Sequence, residues 1–151
     1  MRAVPKRKQG WAHGGFSALT GPEQFPDLEG DTFMTLYPIV RTPWVALVVR
    51  KIEKPNVEDH LHTHGLPYLT WIIKGGYVEL RKGGIRTHRR FHFNWIPRDE
   101  AHRIVRVFGT TWTIGLHLKW LQNGPYGMLV DGKLVPIWDY VTSMRENRAG
   151  A

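Results

Sequence analysis

Three of the eight histidines in this 151-residue chain alternate, in Asp59-His60-Leu61-His62-Thr63-His64. Side chains in an extended strand return to one face every second residue, so His60, His62 and His64 are expected on the same face. Two imidazoles at i and i+2 can reach one metal ion without bending the backbone. Imidazole suits Fe, Zn, Cu and Ni, and in its neutral form it needs no charge partner when buried. Another histidine, His102, closes Ile96-Pro97-Arg98-Asp99-Glu100-Ala101-His102, and His88, His92 and His117 stand further off. The plainer reading of such residues is a polar strand face near a loop; His13, His88 and His117 are read as surface or satisfied side chains. Several chemistries are excluded outright. The chain has no cysteine, hence no thiolate site, cysteine nucleophile or disulfide. It also lacks Gly-x-Ser-x-Gly and a complete phosphate-binding loop, since the Gly-x4-Gly-Lys of Gly127–Lys133 is followed by Leu134 and not by Ser or Thr.

The second chemical feature is charge. Lys and Arg number 21 against 13 Asp and Glu, a net +8. Between Lys74 and Arg106 nine basic residues face three acidic ones, so this stretch carries +6 of the total. Arginine suits bidentate contact with carboxylate or phosphate. The charge fits an anionic small molecule, with nucleic acid the less favoured partner. The solvated-hairpin alternative stays open beside both. Phe91, Phe93 and Trp95 alternate within the same stretch and are expected to fill the space between sheets. Arg89 and Arg90 are expected on opposite strand faces.

These residues need elements to hold them. Short β-branched and aromatic runs recur, among them Phe33–Tyr37, Trp44–Arg50, Leu69–Ile73, Tyr77–Leu80, Phe91–Ile96 and Thr111–Leu118. Gly, Pro and charged turns separate them, and Lys82-Gly83-Gly84 and Asp131-Gly132 read as hairpin turns. Strands at about ten-residue spacing predict an all-β sandwich or barrel. Residues 1–31 read as an irregular N-terminal arm, partly docked through Trp11, Phe16 and Phe25, and 32–141 as the barrel. Residues 142–151 read as a tail, with a short helix around Trp138 to Arg145. The basic N-terminus is followed by no apolar stretch, so it does not read as a signal peptide. No apolar run approaches the ~18 residues of a membrane span. A cytoplasmic protein without membrane contact is the expectation.

From His62 onward the pattern is His-x-His64, then Tyr68, then Gly75, a gap, Phe91-His-Phe-Asn-Trp-Ile-Pro97, and His102. This resembles the two-motif signature of the cupins, single jelly-roll barrels (double-stranded β-helices) that hold a metal at the barrel mouth. The run His62-Thr-His64, the pair Ile72-Ile-Lys-Gly-Gly-Tyr-Val-Glu79 and Arg98-Asp-Glu-Ala-His-Arg103 narrow it further. They resemble small cupin-like proteins of unknown function common in tailed bacteriophages, over roughly residues 33 to 140. The departures are specific: Tyr68 stands for the motif-one glutamate, Asn56 and Phe91 for motif glycines, and Arg106 for a frequent Asn.

The resemblance implies a divalent transition metal on His62, His64 and His102, with Fe first and Zn, Ni or Mn as alternatives. Without the glutamate, the implied site is a three-histidine one of the thiol dioxygenase-like kind. Asp59, His60 or His92 could add a fourth ligand. Tyr68, His92 and Arg90 are the candidates to orient substrate in a dioxygenase-like enzyme acting on an anionic small molecule. The alternative is a non-catalytic, phage-type jelly roll that binds a partner or sits in a virion, packing these histidines without metal. Cupin barrels pair through edge strands, so a homodimer is expected.

Overall fold

The computed structural model of the chain describes residues 17–19, 21–26, 31–56, 60–121, 126–136, 139, 140, 142–144 and 146. The basic N-terminal cluster, Trp11, His13, Phe16, Asp59, Trp138 and Arg145 lie outside them. Among the described residues, alternating apolar and β-branched runs form thirteen strands in two antiparallel sheets. The first sheet holds β1 (Ser17–Ala18), β2 (Glu23–Pro26), β3 (Thr32–Arg41), β4 (Val45–Ile52), β6 (Tyr68–Lys74), β9 (Phe93–Ile96) and β11 (Thr111–Leu118). Its order is β1-β3-β4-β11-β6-β9, with β2 also paired to β3. The second holds β5 (Leu61–Thr63), β7 (Gly76–Arg81), β8 (Gly84–Arg89), β10 (His102–Val107), β12 (Gly127–Val130) and β13 (Lys133–Pro136), ordered β13-β12-β5-β10-β7-β8. Neighbours far apart in sequence lie side by side in both, which is the mark of a jelly roll. A helical stretch at residues 139–140 and 142–144 follows the last strand. No helix among the described residues is long and apolar enough to cross a membrane.

Both hairpin turns fall where the sequence puts them. Lys82 and Gly83 join β7 to β8, and Asp131 and Gly132 join β12 to β13. Asp131 and Gly132 have φ of 49° and 76°, the left-handed pair that a type I′ turn requires. The described part of the arm is ordered by strand pairing, with Ser17 opposite Arg41 and Glu23 opposite Leu36.

Strand alternation decides what enters the interior. Ala46, Val48, Arg50 and Ile52 are buried on β4, Tyr68, Thr70 and Ile72 on β6, and Tyr77, Glu79 and Arg81 on β7. One end is apolar: Ile52, Ile72 and Tyr77 cluster there with Met34, Ile104 and Val107 packed against them. The other end is lined by polar groups, and there the histidines meet.

The phase of β9 corrects the expected inward aromatics. Asn94 and Ile96 are buried, whereas Phe93 and Trp95 are 64% and 47% exposed and Phe91 is 57% exposed. Phe91 sits in a turn at φ 70°, and the parity runs on through it: His88, Asn94 and Ile96 are buried, Phe91, Phe93 and Trp95 exposed. The inward polar position, Asn94, is occupied by a hydrogen-bonding residue rather than a filler.

Candidate metal centre

His62 lies mid-strand on β5, opposite His102 at the start of β10. His64 follows β5 at the chain's exit, before Gly65 turns with φ 67°. The ligand nitrogens of His62, His64 and His102 all lie within 4.8 Å of one another. His64 Nε2 is 3.1 Å from His102 Nε2. Nitrogens that share one ion at 2.0–2.2 Å are about 3.0–3.5 Å apart, so the His64–His102 spacing fits a common metal as it stands, and the widest spacing of the set would close by about 1 Å around an ion. The donor set fits as well. Burial, then the charge of His102, push the His62 imidazole down to about 3, against a weaker upward pull from Glu79. Burial and the neighbouring histidines and Arg50 hold His64 well below its usual value. Both keep their lone pairs at neutral pH, the form a metal needs.

His102 is oriented from behind. Its Nδ1 donates to Glu79 Oε1, a fully buried carboxylate of β7. Burial pushes that carboxyl up, but hydrogen bonds from His102 and His88 and the charge of Arg81 outweigh it and hold it below the usual carboxylate range. An ionised Glu79 can only accept, so the His102 proton is on Nδ1 and its Nε2 faces the other histidines. Glu79 Oε2 also accepts from Arg81 Nε at 2.9 Å, His88 Nε2 at 3.0 Å and Asn94 Nδ2 at 3.2 Å. Arg81 in turn donates to Asn94 Oδ1 at 2.5 Å, and Asn94 Nδ2 to Tyr77 Oη at 2.9 Å. A metal-ligating histidine commonly hands its second N–H to such a carboxylate.

Tyr68 begins β6 on the facing sheet, and its Oη is 3.0 Å from His102 Nε2. Burial, partly offset by Arg50, raises the phenol well above its ordinary value, so it keeps its proton. Tyr126, 43% exposed, stacks on His64 at 5.4 Å between ring centroids and meets His62 edge-on at 6.1 Å. It covers the outer side of the cluster.

Of the residues singled out in the sequence, the fold brings together His62, His64, His102 and Tyr68. It leaves three others elsewhere. β5 starts only at Leu61, so His60 precedes the strand and faces Tyr140, with Nδ1 3.0 Å from the phenol oxygen. His92 is exposed; its carbonyl accepts from Ile72 N at 3.0 Å, at the end of β6 away from Tyr68. Arg90 is exposed at that same end, donating to the Ile73 carbonyl at 3.2 Å and lying 4.4 Å over the Phe91 ring. His88 and His117 are buried and bonded through Nε2, to Glu79 and Arg50 respectively. Glu79, Arg50 and Tyr126 were not singled out. Only Glu79 had a local signal: Tyr77, Glu79 and Arg81 share one face of a strand whose other face is Val78 and Leu80.

No protein-family model and no curated protein matches the sequence. Solved structures do match. HppE in its Fe(II) form superposes with a TM-score of 0.55 at 12% identity, over 65% of this chain and 56% of HppE. A Ralstonia eutropha JMP134 protein, provisionally assigned as a mannose-6-phosphate isomerase, gives 0.53 at 11% identity, over 56% of this chain and 83% of its own. KdgF from Halomonas sp. gives 0.50 at 15% identity, over 58% and 81%. With its two antiparallel sheets and this strand order, the chain has the jelly-roll fold of cupin-like proteins.

Proposed function

We propose that this chain is a metal-dependent cupin-type enzyme acting on a small anionic molecule. One observation carries the reading: three imidazoles converge within 4.8 Å, one of them held by a buried carboxylate. Iron is the first choice, on imidazole chemistry and with the Fe(II) of HppE in support; Zn, Ni and Mn are the alternatives. Bound there, the ion would supply Lewis acidity and open positions for O₂ or substrate. The chain's own residues do the rest. Glu79 keeps the His102 proton on Nδ1. Tyr68 holds a proton at Oη beside the centre, ready to donate to a substrate oxygen. The apolar cluster of Ile52, Ile72 and Tyr77 closes the far end of the barrel to water. The test is oxygen consumption by Fe(II)-loaded protein on a panel of small carboxylates and phosphates. Turnover lost in Tyr68→Phe, with metal retained, is the expected result. A loaded protein inert toward the whole panel, under O₂ and under argon, would sink the enzymatic reading.

The outer face favours a second reading, a partner-binding jelly roll of the phage type. Phe93 and Trp95 point outward from β9, an edge strand, and Trp71 stacks on Phe93 with 5.7 Å between ring centroids. We assign this edge to a second copy of the chain, because paired edges bury both the open backbone groups and the aromatics. The exposed arginines beside it, Arg89 and Arg106, lie against Phe108 at 5.1 and 5.4 Å. Aromatics with interleaved arginine are also a nucleic-acid surface, which the second reading keeps.

A further inference from the structure

Two arginines are buried in the barrel, and the chain treats them differently. Arg81 is paired with Glu79 at 2.9 Å. Arg50, on the inner face of β4 and 8% exposed, faces no carboxylate among the described residues. Its Nη2 donates to His117 Nε2 at 2.7 Å and its Nη1 to Thr70 Oγ1 at 3.3 Å. Its Cζ lies 4.8 Å over the Tyr68 ring. All three partners are neutral. A guanidinium does not lose its proton in a protein, and it offers five N–H donors, of which these bonds use two. The other buried arginine, Arg81, is answered by Glu79, so among the described residues Arg50 is the buried arginine without a carboxylate beside it. An unpaired buried charge is strongly destabilising, and an apolar residue of similar volume would pack there at no such cost.

The position of Arg50 points to what answers it. Gly115, on the neighbouring β11, leaves room for the guanidinium; a Cβ there would collide with Arg50 Nη2 and Cζ. The side chain therefore lies flat across β11 toward His117 and Tyr68, which pair at the site end of the sheet. Tyr68 links Arg50 and His102, its ring under Arg50 Cζ at 4.8 Å and its Oη 3.0 Å from His102 Nε2.

We propose that Arg50 anchors the carboxylate of a small substrate whose other end faces His62, His64 and His102. A carboxylate brings one negative charge to match the one guanidinium, whereas phosphate brings about −1.5 to −2 at neutral pH. The remaining N–H groups of the guanidinium can hold its two oxygens as a fork. The orientation of the ligand's far end rests on the metal-centre reading; the anchor itself does not.

Isothermal titration of the full chain, both metal-stripped and Co(II)-loaded, separates the two. The probes are lactate, its neutral amide lactamide, and inorganic phosphate. Lactate is expected to bind both forms, more tightly with Co(II), and lactamide neither. Arg50→Met is expected to weaken lactate by at least about thirtyfold, the loss typical of a buried charge pair. Gly115→Ala, which keeps the charge but displaces it, is expected to weaken lactate as well while leaving Co(II) uptake intact. Unliganded Arg50→Met is expected to melt at or above the parent, since it removes an unanswered charge. Lactate binding that survives Arg50→Met, lactamide binding as well as lactate, or phosphate binding more tightly than lactate would overturn the anchor. So would an Arg50→Met protein that melts well below the parent. Lactate binding without any Co(II) uptake would uphold the anchor and remove the metal centre instead.

Discussion

His102 is fixed from two sides, by Glu79 at Nδ1 and by Tyr68 near Nε2, and these two contacts make different demands. Glu79→Gln removes the charge that orients the ring while keeping its size. Loss of such an outer-shell partner commonly costs 10–100-fold, so Co(II) affinity is expected to fall by about that factor, read by competition with a chelator. Tyr68→Phe is expected to leave Co(II) affinity within about threefold, because a phenol that only donates a proton is not a ligand. The histidines also set a pH dependence for the metal-stripped protein. His62 is at about 3 when folded against 6.5 for the free side chain, and His64 and His117 are shifted in the same direction, chiefly by burial. Between those values the unfolded chain binds more protons, so stability is complete above about pH 6.5 and falls as the pH drops toward 3. Each such histidine contributes a slope of up to about 1.4 kcal/mol per pH unit in that window. The lowered carboxyl of Glu79 adds to the loss below its free value of 4.5. Urea unfolding at pH 7.5, 6 and 5 measures this; equal stabilities would show that the imidazoles are not buried in neutral form.

At the scale of elements, β7 is the member that ties the second sheet to the centre. Its inward face reads Tyr77, Glu79, Arg81, and Glu79 to Ala would leave Arg81 buried without its anion. Breaking such a pair costs about 3–5 kcal/mol, which chemical denaturation would register; a loss below about 1 kcal/mol would mean that water reaches Arg81. Ile72→Ala, at the apolar end of β6, is expected to cost about 2–5 kcal/mol by the same measurement, with metal uptake unchanged in the fraction that remains folded. How far the sequence reveals these elements follows from the range of each signal. Period-two runs such as Val45–Ile52 and Thr111–Leu118 are local and legible, as are the Asp131-Gly132 turn and the His62-x-His64 spacing. The cluster of His62, His64, His102 and Tyr68 emerges from motif spacing because β5 and β10 pair directly. Arg50 and Glu79 are different. Each has another charge in its own strand, Lys51 and Arg81 respectively, but what sets its role at the centre comes from strands about twenty or more residues away, Thr70, His102 and His117 among them. The phase of β9 is hidden for another reason: its two faces, Phe93 with Trp95 and Asn94 with Ile96, both carry apolar side chains, and the inward Asn94 is selected by its bonds to Arg81, Glu79 and Tyr77. The register that pairs Tyr68 with Ile96 and Trp71 with Phe93 is why His92 and Arg90 end up far from Tyr68.

For the whole molecule, the net +8 resolves into two populations. Arg50 and Arg81 are interior groups of the site, and most of the remaining charge of the 74–106 stretch is solvated, beside outward aromatics. The basic excess is therefore only partly a surface property. The exposed β9 edge gives the third level of prediction. Phe93→Ser with Trp95→Ser is expected to keep the melting temperature within a few degrees, since both side chains are solvent-facing. It is expected to convert a dimer to a monomer by light scattering at micromolar concentration; a parent already monomeric there would remove the paired-edge assignment. The proposed activity turns on whether the three histidines hold a metal. The direct measurement is elemental analysis of the purified protein after equilibration with Fe(II), Zn(II), Ni(II) or Mn(II) and gel filtration, run alongside His62→Ala and His102→Ala. About one equivalent of one of these metals per chain, absent from both folded variants, is the expected result. A parent protein that retains none of them, or variants that retain as much as the parent, would contradict the metal centre.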